Sequence, residues 1–508
     1  MADTDSHNDI TRQAGRGFLF ITGAKLYFLL TATFASLAFP RLFGDPVLFG
    51  RYRVVSGLLN VVTMVVITAT VQAVSKLSSE SGAPLRSVRR SAVVVQTFLF
   101  GPIFLGMFLF ADELSGFLLR DPGLGTPLRV ASLVVLAYAY YAVLVGTLNG
   151  TRRFGRQAAL DVTYSTMKTA FMVALVVATG SVTWAFGGFA TAAFLVLGLA
   201  FFVAGLGPDA GSGDPLKKRY LSFLLPLGGY ALVLNLLLQA DIIGIKASLG
   251  GGLNAWWSDP ALADEASFAA GIYGAAKNVA TIPYQAVISL TFVVFPFVSR
   301  ATSAHDTDAA NAAVAGAMRL ASVLSGLAVA VLGTAGEGLL TLLFGEAYSG
   351  GGSVLVPLLT AVSLMALMFV GNAILASAGR PLVSLLCGGV AVAVQACLLF
   401  WLLTDAEDPA QAWTAASLST MAGCACGAVT SLVFLRRVFP GAAWVRTAVI
   451  AVGGLCVVIG LDHVAGASVP WPVRSLAAAG VFTVVLVAGR AVGTDDMRAA
   501  LSVLRRRR

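Results

Sequence analysis

Residues 48–76 read LFGRYRVVSGLLNVVTMVVITATVQAVSK, and residues 269–300 read AAGIYGAAKNVATIPYQAVISLTFVVFPFVSR. Each stretch opens on Gly-x-Tyr, runs through apolar sequence and closes on Ser followed by a basic residue. Gly50-x-Tyr52 and Gly271-x-Tyr273 are 221 residues apart, while Ser75-Lys76 and Ser299-Arg300 are 224 apart. The 224 register also pairs Ala111-x-Glu113 with Ala335-x-Glu337 and Gly155-Arg156 with Gly379-Arg380, so one short insertion separates the two registers. Each match is cheap in a chain rich in Gly, Ala, Ser and Arg. Three on one register, all at the ends of apolar runs, indicate two like halves. A membrane protein built in this way is usually a transporter with its site between the halves.

The composition places the chain in a membrane. Hydrophobic residues make up 57% of the 508 and charged residues 12%, about half the charge fraction of a soluble domain; mean hydropathy is +0.85. Apolar runs of about 20 residues, enough for a ~30 Å hydrocarbon core, recur throughout. They lack the alternation of barrel strands, so the spans are helices. The expected class is an all-α polytopic membrane protein of about fourteen helices. Six spans lie near 17–42, 48–75, 91–111, 128–149, 158–179 and 183–206. Six more lie near 221–248, 269–298, 313–333, 353–377, 382–404 and 412–435, with a last pair near 444–461 and 473–490.

Basic residues set the expected topology. With the N-terminus inside, the inside connections hold Lys76, Arg86, Arg89 and Arg90, then Arg152, Arg153 and Arg156, then Lys217, Lys218 and Arg219, and later Arg300, Arg380, Arg436, Arg437, Arg446 and Arg505–Arg508. The outside connections hold Asp112, Glu113, Asp259, Asp264, Glu265, Glu337, Glu346, Asp405, Glu407 and Asp408. This is the positive-inside pattern, and it accounts for the net charge of +9 without a nucleic-acid partner. Residues 1–16 read as a polar cytoplasmic tail and 17–206 as a first six-span lobe. Residues 207–220, opening on the Gly/Pro/Asp-rich 207–213, read as a cytoplasmic linker. Residues 221–437 form the second lobe, 444–490 an added pair and 491–508 a basic tail. With six spans per half, the repeat is parallel.

The five cysteines lie in apolar spans and read as packing residues, and the three histidines make no metal constellation. No outside connection is large enough for the acidic metal site of a membrane glycosyltransferase, so no enzyme and no cofactor is expected. A coupling proton, Na+ or the membrane potential stays open.

The chemistry is expected to reside in lysines inside spans. The chain has 7 lysines against 27 arginines, yet Lys25, Lys168 and Lys277 lie within spans one, five and eight. A charge at a helix centre costs about 2.5–3.5 kcal/mol, so it faces a wet cavity or a partner. Lys25 and Lys277 also have the option of snorkelling, being about eight residues, or ~12 Å, from a span end. Tyr273, Lys277, Thr281, Gln285 and Ser289 repeat every four residues, a polar row lipid would not tolerate. Pro283 and Pro296 interrupt the same span, as a gate or as a static bend. Asp161 shares a face with Lys168, with Ser165 between them. Asp241 in span seven either carries a coupling proton or Na+, or is the counter-ion of Lys25 or Lys277. With Arg51 and Arg53 at the mouth of span two, the interior is basic and suits an anionic substrate.

Several stretches resemble bacterial polysaccharide flippases of the Wzx type, within the multidrug/oligosaccharidyl-lipid/polysaccharide (MOP) exporter superfamily. They are Ala270–Ala276, Ile282-Pro283-Tyr284, Phe295-Pro296, Ser299-Arg300, Gln239-Ala240-Asp241 with Gly244, Gln72–Lys76 and Leu342-Leu343-Phe344-Gly345-x-x-Tyr348. The resemblance covers residues 15–437. It implies two six-helix lobes forming a V around a cationic cavity in the bacterial plasma membrane, both termini cytoplasmic. By alternating access these would move a polyprenyl-pyrophosphate-linked oligosaccharide. Membrane lipids and a polysaccharide polymerase or export machinery are the implied partners. The site set is then Lys25, Lys168, Lys277, Thr281, Gln285 and Arg53, with Asp241 and Asp161 for coupling or as counter-ions. Lipid II flippases of the same superfamily resemble it in having fourteen spans, although span one offers Lys25 and Arg16 where that branch has an arginine-rich cavity. A MATE-like cation or drug antiporter and a non-transport scaffold of an envelope-synthesis complex are the other readings.

Overall fold

A computed structural model describes residues 2–80, 84–205, 214–249, 260–304, 306–404, 406, 408–465 and 469–491. The expected linker core at 207–213 and the tail past 491 lie outside these residues. The described chain is all helix: α1 (Ala2–Phe43), α2 (Pro46–Ser78), α3 (Leu85–Leu109), the short α4 (Ala111–Phe117), α5 (Gly125–Gly150), α6 (Phe154–Thr179), α7 (Val182–Ala204), α8 (Asp214–Leu249), α9 (Pro260–Ser303), α10 (Thr307–Phe344), α11 (Leu355–Ser377), α12 (Pro381–Thr404), α13 (Pro409–Val438), α14 (Val445–Ala465) and α15 (Trp471–Ala488). Among the described residues, 13 helices are long and apolar enough to cross a membrane; α9, some of whose side chains are outside the described set, carries the expected eighth span. The chain is a multi-pass membrane protein. Every expected span coincides with one long helix, because backbone in hydrocarbon has to satisfy its hydrogen bonds within the segment.

Local chemistry places the breaks. Gly44, at φ +67, follows α1, and the Asp45 carboxylate caps α2 by accepting from Val47 N at 2.8 Å, with Pro46 at the first helical position. The same device starts α5. Asp121 accepts from Gly123 N at 3.0 Å, ahead of a 3₁₀ turn at Pro122–Leu124. α9 is helical through Pro283. α10 carries a kink at Gly336 (φ 42, ψ −127).

The chain divides into two compact units, Met1–Gly271 with Ala406–Pro409, and Ile272–Asp405 with Ala410–Arg508. In the first, α2 packs on α5 and α8, α5 on α7, and α6 on α1 and α7. α8, expected to open the second lobe, packs on α2 and α3. In the second, α10 packs on α11, α14 and α15. Phe482 of α15 fills a notch left by Gly326 of α10 and Gly454 of α14, which docks the terminal pair through one buried ring. Asn372, Ser431 and Ser384 tie α11 to α13 and α12 by hydrogen bonds of 2.9–3.0 Å.

Candidate functional site

In the first unit, the ends of α2, α5 and α8 that carry Asp45, Asp121 and Lys246 form an acidic end. α2 and the first turns of α9 cross there with no room to spare. A Cβ added to Gly50 would overlap the Ser267 carbonyl oxygen, and one added to Gly271 would overlap the Pro46 carbonyl oxygen. Pro46 and Ser267, like Gly50 and Gly271, are 221 residues apart. The crossing is therefore reciprocal between the two copies of the repeat, and the glycines that betray the repeat in sequence meet each other. Small residues four apart permit this backbone approach.

Charge is packed around that crossing. Lys246 of α8 is 0% exposed, and its ammonium donates to Asp121 Oδ2 (2.9 Å), Ala263 O (2.5 Å) and Ser267 Oγ (2.5 Å). Three donors meet three acceptors, the full capacity of a lysine. Arg51 donates to the same Asp121 oxygen through Nε at 3.1 Å and to Asp264 Oδ1 through Nη2 at 2.9 Å. The Asp-Pro-Gly turn thus aims one Asp121 oxygen at its own backbone and the other at two cations. Burial pushes the Asp121 carboxyl up, but Lys246 and Arg51 outweigh it and hold it below the ordinary carboxylate value.

The reading from sequence counted three lysines inside spans, whereas Lys246 is a fourth and the most buried. Its signal was present, a lysine within the apolar IIGIKASL of span seven. Its partners were not legible, since Asp121 is 125 residues away. Asp264, read as part of an outside connection, lies in the first turns of α9, which starts at Pro260.

The interior of the first unit is less satisfied. Lys25 of α1 is exposed and close enough to Asp161 of α6 for their charges to interact. Asp161 also accepts from the Tyr141 hydroxyl at 3.5 Å. α1 and α6 are held by Tyr27 to Thr166 at 2.8 Å and by Thr31 to Ser165. The ammonium of Lys168 lies 4.3 Å above the Phe189 ring of α7, a cation–π contact with no hydrogen bond from that ammonium among the described residues. Arg53 and Asp241, on α2 and α8, are close enough for their charges to interact, while the Nε of Arg53 is buried with no hydrogen-bond partner among the described residues. Asp241, read as a coupling group or as the counter-ion of Lys25 or Lys277, thus also has the charge of Arg53 near it, and Asp161 has that of Lys25.

In the second unit, α9 carries the polar row. Tyr273 is fully buried, Lys277 is 4% exposed with its ammonium 6.0 Å from the Tyr273 ring, Thr281 is half-buried and donates to Asn278 O at 2.9 Å, and Gln285 is exposed. The Ser289 side chain lies outside the described residues. Access along the row increases away from Gly271. In the first unit, Lys168 on its aromatic ring is a cation that a carboxylate- or phosphate-bearing ligand can address.

No protein-family model matches the chain, and no curated protein sequence matches it. Solved structures do. The chain is similar to the lipid II flippase MurJ in an inward closed conformation, with 11% identity, a TM-score of 0.71, and 94% of this chain and 99% of that chain covered. It is also similar to a multidrug resistance MATE family transporter of the MOP superfamily in its inward-facing conformation, with 13% identity, a TM-score of 0.65, and 80% and 94% covered. At these identities the likeness is one of fold, shared with MOP-superfamily transporters.

Proposed function

We propose that the chain is a flippase moving a polyprenyl-pyrophosphate-linked oligosaccharide across the bacterial plasma membrane, with its basic loops and both termini on the cytoplasmic side. The observation that carries this reading is the state of the interior cations. Lys168 rests on an aromatic face rather than a carboxylate, and Lys25 stays exposed beside Asp161. A pyrophosphate gives Lys168 a charged acceptor in addition to the ring, and α9 presents its own polar row of Lys277, Thr281 and Gln285. A transporter of cationic drugs needs the opposite balance. Asp161, facing Lys25 and Tyr141, and Asp241, facing Arg53, act in this reading as counter-ions or coupling groups. The membrane potential, worth ~2.3 kcal/mol per charge per 100 mV, is an alternative driving force.

A lipid II flippase is the second reading. It is favoured by the coverage, 99% of the MurJ chain, which takes in the terminal helix pair.

The test is a lipid extract from a strain lacking the gene, profiled for prenyl-linked saccharides beside an assay of surface polysaccharide. The expected result is an accumulated lipid-linked oligosaccharide with loss of surface polymer. Accumulated lipid II would move the assignment to the second reading. Unchanged lipids together with new sensitivity to cationic dyes would overturn both.

A further inference from the structure

The repeated Gly155-Arg156 and Gly379-Arg380 have no part in the proposed transport chemistry, and their surroundings differ between the two copies. Near the start of α7, Gly188 lets that helix lie against α6, since a Cβ there would meet the Phe171 carbonyl oxygen at 2.6 Å. Toward the other end, Leu199 and Val203 stand in place of such small residues. There α6 and α7 part around a cleft of about 380 Å³, walled also by Arg156, Leu160, Thr163 and Phe202. That volume is in the ~300–1,000 Å³ range of small-ligand sites. On the 224 register, Leu199 and Val203 correspond to Gly423 and Gly427 of α13, and Thr163 to Cys387 of α12. The glycines close the equivalent space. A Cβ on Gly423 would meet the Ala391 carbonyl oxygen at 2.6 Å, and one on Gly427 would meet that of Cys387 at 3.1 Å. The cleft thus belongs to the first copy and is not a by-product of the repeated fold.

Its chemistry changes along its length. At the basic end, Arg89 of α3 donates to Thr147 Oγ1 at 3.2 Å and to the carbonyls of Ala204 and Gly205, and so covers the C-terminal end of α7. The exposed Arg156 adds one bond, from Nη1 to Val203 O at 3.3 Å, and makes no other among the described residues. Most of its five donors remain for a ligand. Arg153, at the N-cap of α6, lies close enough to Arg89 for their like charges to repel. Arg152, Arg153 and Arg156 have no carboxylate partner among the described residues. Two turns into the helix, on the face of Arg156, stands Thr163. Thr147, Thr166 and Thr179 each donate to a carbonyl of their own helix, whereas the Thr163 hydroxyl makes no hydrogen bond among the described residues. Leu195, Leu199 and Phe202, 51%, 41% and 82% exposed, share one apolar face of α7. On a membrane-spanning helix, lipid covers such a face.

We infer that the cleft between α6 and α7 holds one anionic phospholipid, its phosphate on Arg156 with Arg153 beside it and one acyl chain along Leu199 and Phe202. The arginines select a negative head group, which a guanidinium can grip with two donors. The apolar, lipid-facing walls select a diacyl lipid over a soluble phosphate, which would have to leave water to enter. Thr163 offers a hydroxyl to the ester oxygens between head and chains. In the topology read from the basic loops this end meets the cytoplasmic leaflet, whose surface is negative. The lipid proposed here stays with the protein and is not its cargo, so the site does not depend on which substrate crosses.

The test is native mass spectrometry of the full chain in detergent, titrated with phosphatidylglycerol or with phosphatidylcholine of the same acyl chains. The expected result is one phosphatidylglycerol retained in preference to phosphatidylcholine. Arg156→Gln lowers its occupancy about fivefold, the worth of one arginine at an anionic head group. Ala159→Phe, which fills the cleft and keeps the charge, lowers it as well. Arg380→Gln, at the equivalent position of the second copy, leaves it unchanged. Equal retention of the two lipids would overturn the inference, and so would phosphatidylglycerol binding indifferent to both cleft variants. An equal loss from Arg380→Gln would also overturn it, by assigning the effect to basic surface in general. Should the variants not be recovered, phosphatidylglycerol with a diazirine in its acyl chain, photolysed on the native protein, decides. Label within 159–163 or 199–203 supports the cleft, and label absent from both rejects it.

Discussion

Lys246 and Lys168 both belong to membrane-spanning helices of the first unit, and their surroundings are opposite. Lys246 has a carboxylate, a carbonyl and a hydroxyl, one acceptor per donor, and no exposure. Lys168 has an aromatic ring. Spending every donor on the protein closes a site to ligands and joins the helices that supply the partners. Leaving donors unspent costs stability and creates a place for an anion. The same residue type, at similar cost of insertion, is thus spent on the protein in one region and, in the proposed function, kept for a ligand in the other.

Removing Lys246 breaks this contrast most severely. Lys246→Met leaves the buried Asp121 with the half-exposed Arg51 alone, and the expected destabilisation is about 3–5 kcal/mol, read as a fall in thermal unfolding temperature in detergent. Adding Asp121→Asn to that variant recovers part of the loss. The pair also carries a pH signature. Because the folded Asp121 carboxyl lies below its ordinary value, its contribution is full above the unfolded carboxylate value of about 3.9. It is lost as pH falls through the folded value. The difference between wild type and Asp121→Asn is therefore constant across neutral pH and shrinks only under acid. A difference that fades between pH 6 and 8 would assign the effect to another group.

Gly50→Ala tests the reciprocal crossing. The added methyl meets the Ser267 backbone rather than a side chain that can turn away, so about 1–3 kcal/mol of strain is expected, with reduced yield in the membrane. Gly228→Ala, whose added Cβ has 3.6 Å or more to its neighbours, is the control and leaves yield unchanged. The smallest effect belongs to the Arg51–Asp264 pair. Asp264→Ala removes an exposed pair worth no more than ~1 kcal/mol, so unfolding temperature moves little; a drop as large as that of Lys246→Met would erase the distinction between exposed and buried pairs.

The helices were legible in the sequence because lipid leaves the backbone one solution, so about 20 apolar residues fix both length and type. The repeat was legible in Gly50 and Gly271, but their mutual contact was not, since an offset says which residues are equivalent and not which ones touch. Lys168 was legible as a charge within a span. Lys246 sat near a span end, where snorkelling is the cheaper explanation, and its partners at 121, 263 and 267 come from a turn and a helix start that periodicity does not join. The packing of α8 on α2 and α3 was not legible, because an offset between like halves does not say which helices touch.

The most direct test of the central claim is translocation by Lys168→Ala in proteoliposomes, with the NBD-labelled pyrophosphoryl lipid and a cationic dye as separate probes and unfolding temperature measured alongside. The account predicts lost lipid translocation, partial rescue by Lys168→Arg, an unfolding temperature close to wild type and no dye transport by any form. Lipid translocation at the wild-type rate, or dye transport by the native protein, would contradict it.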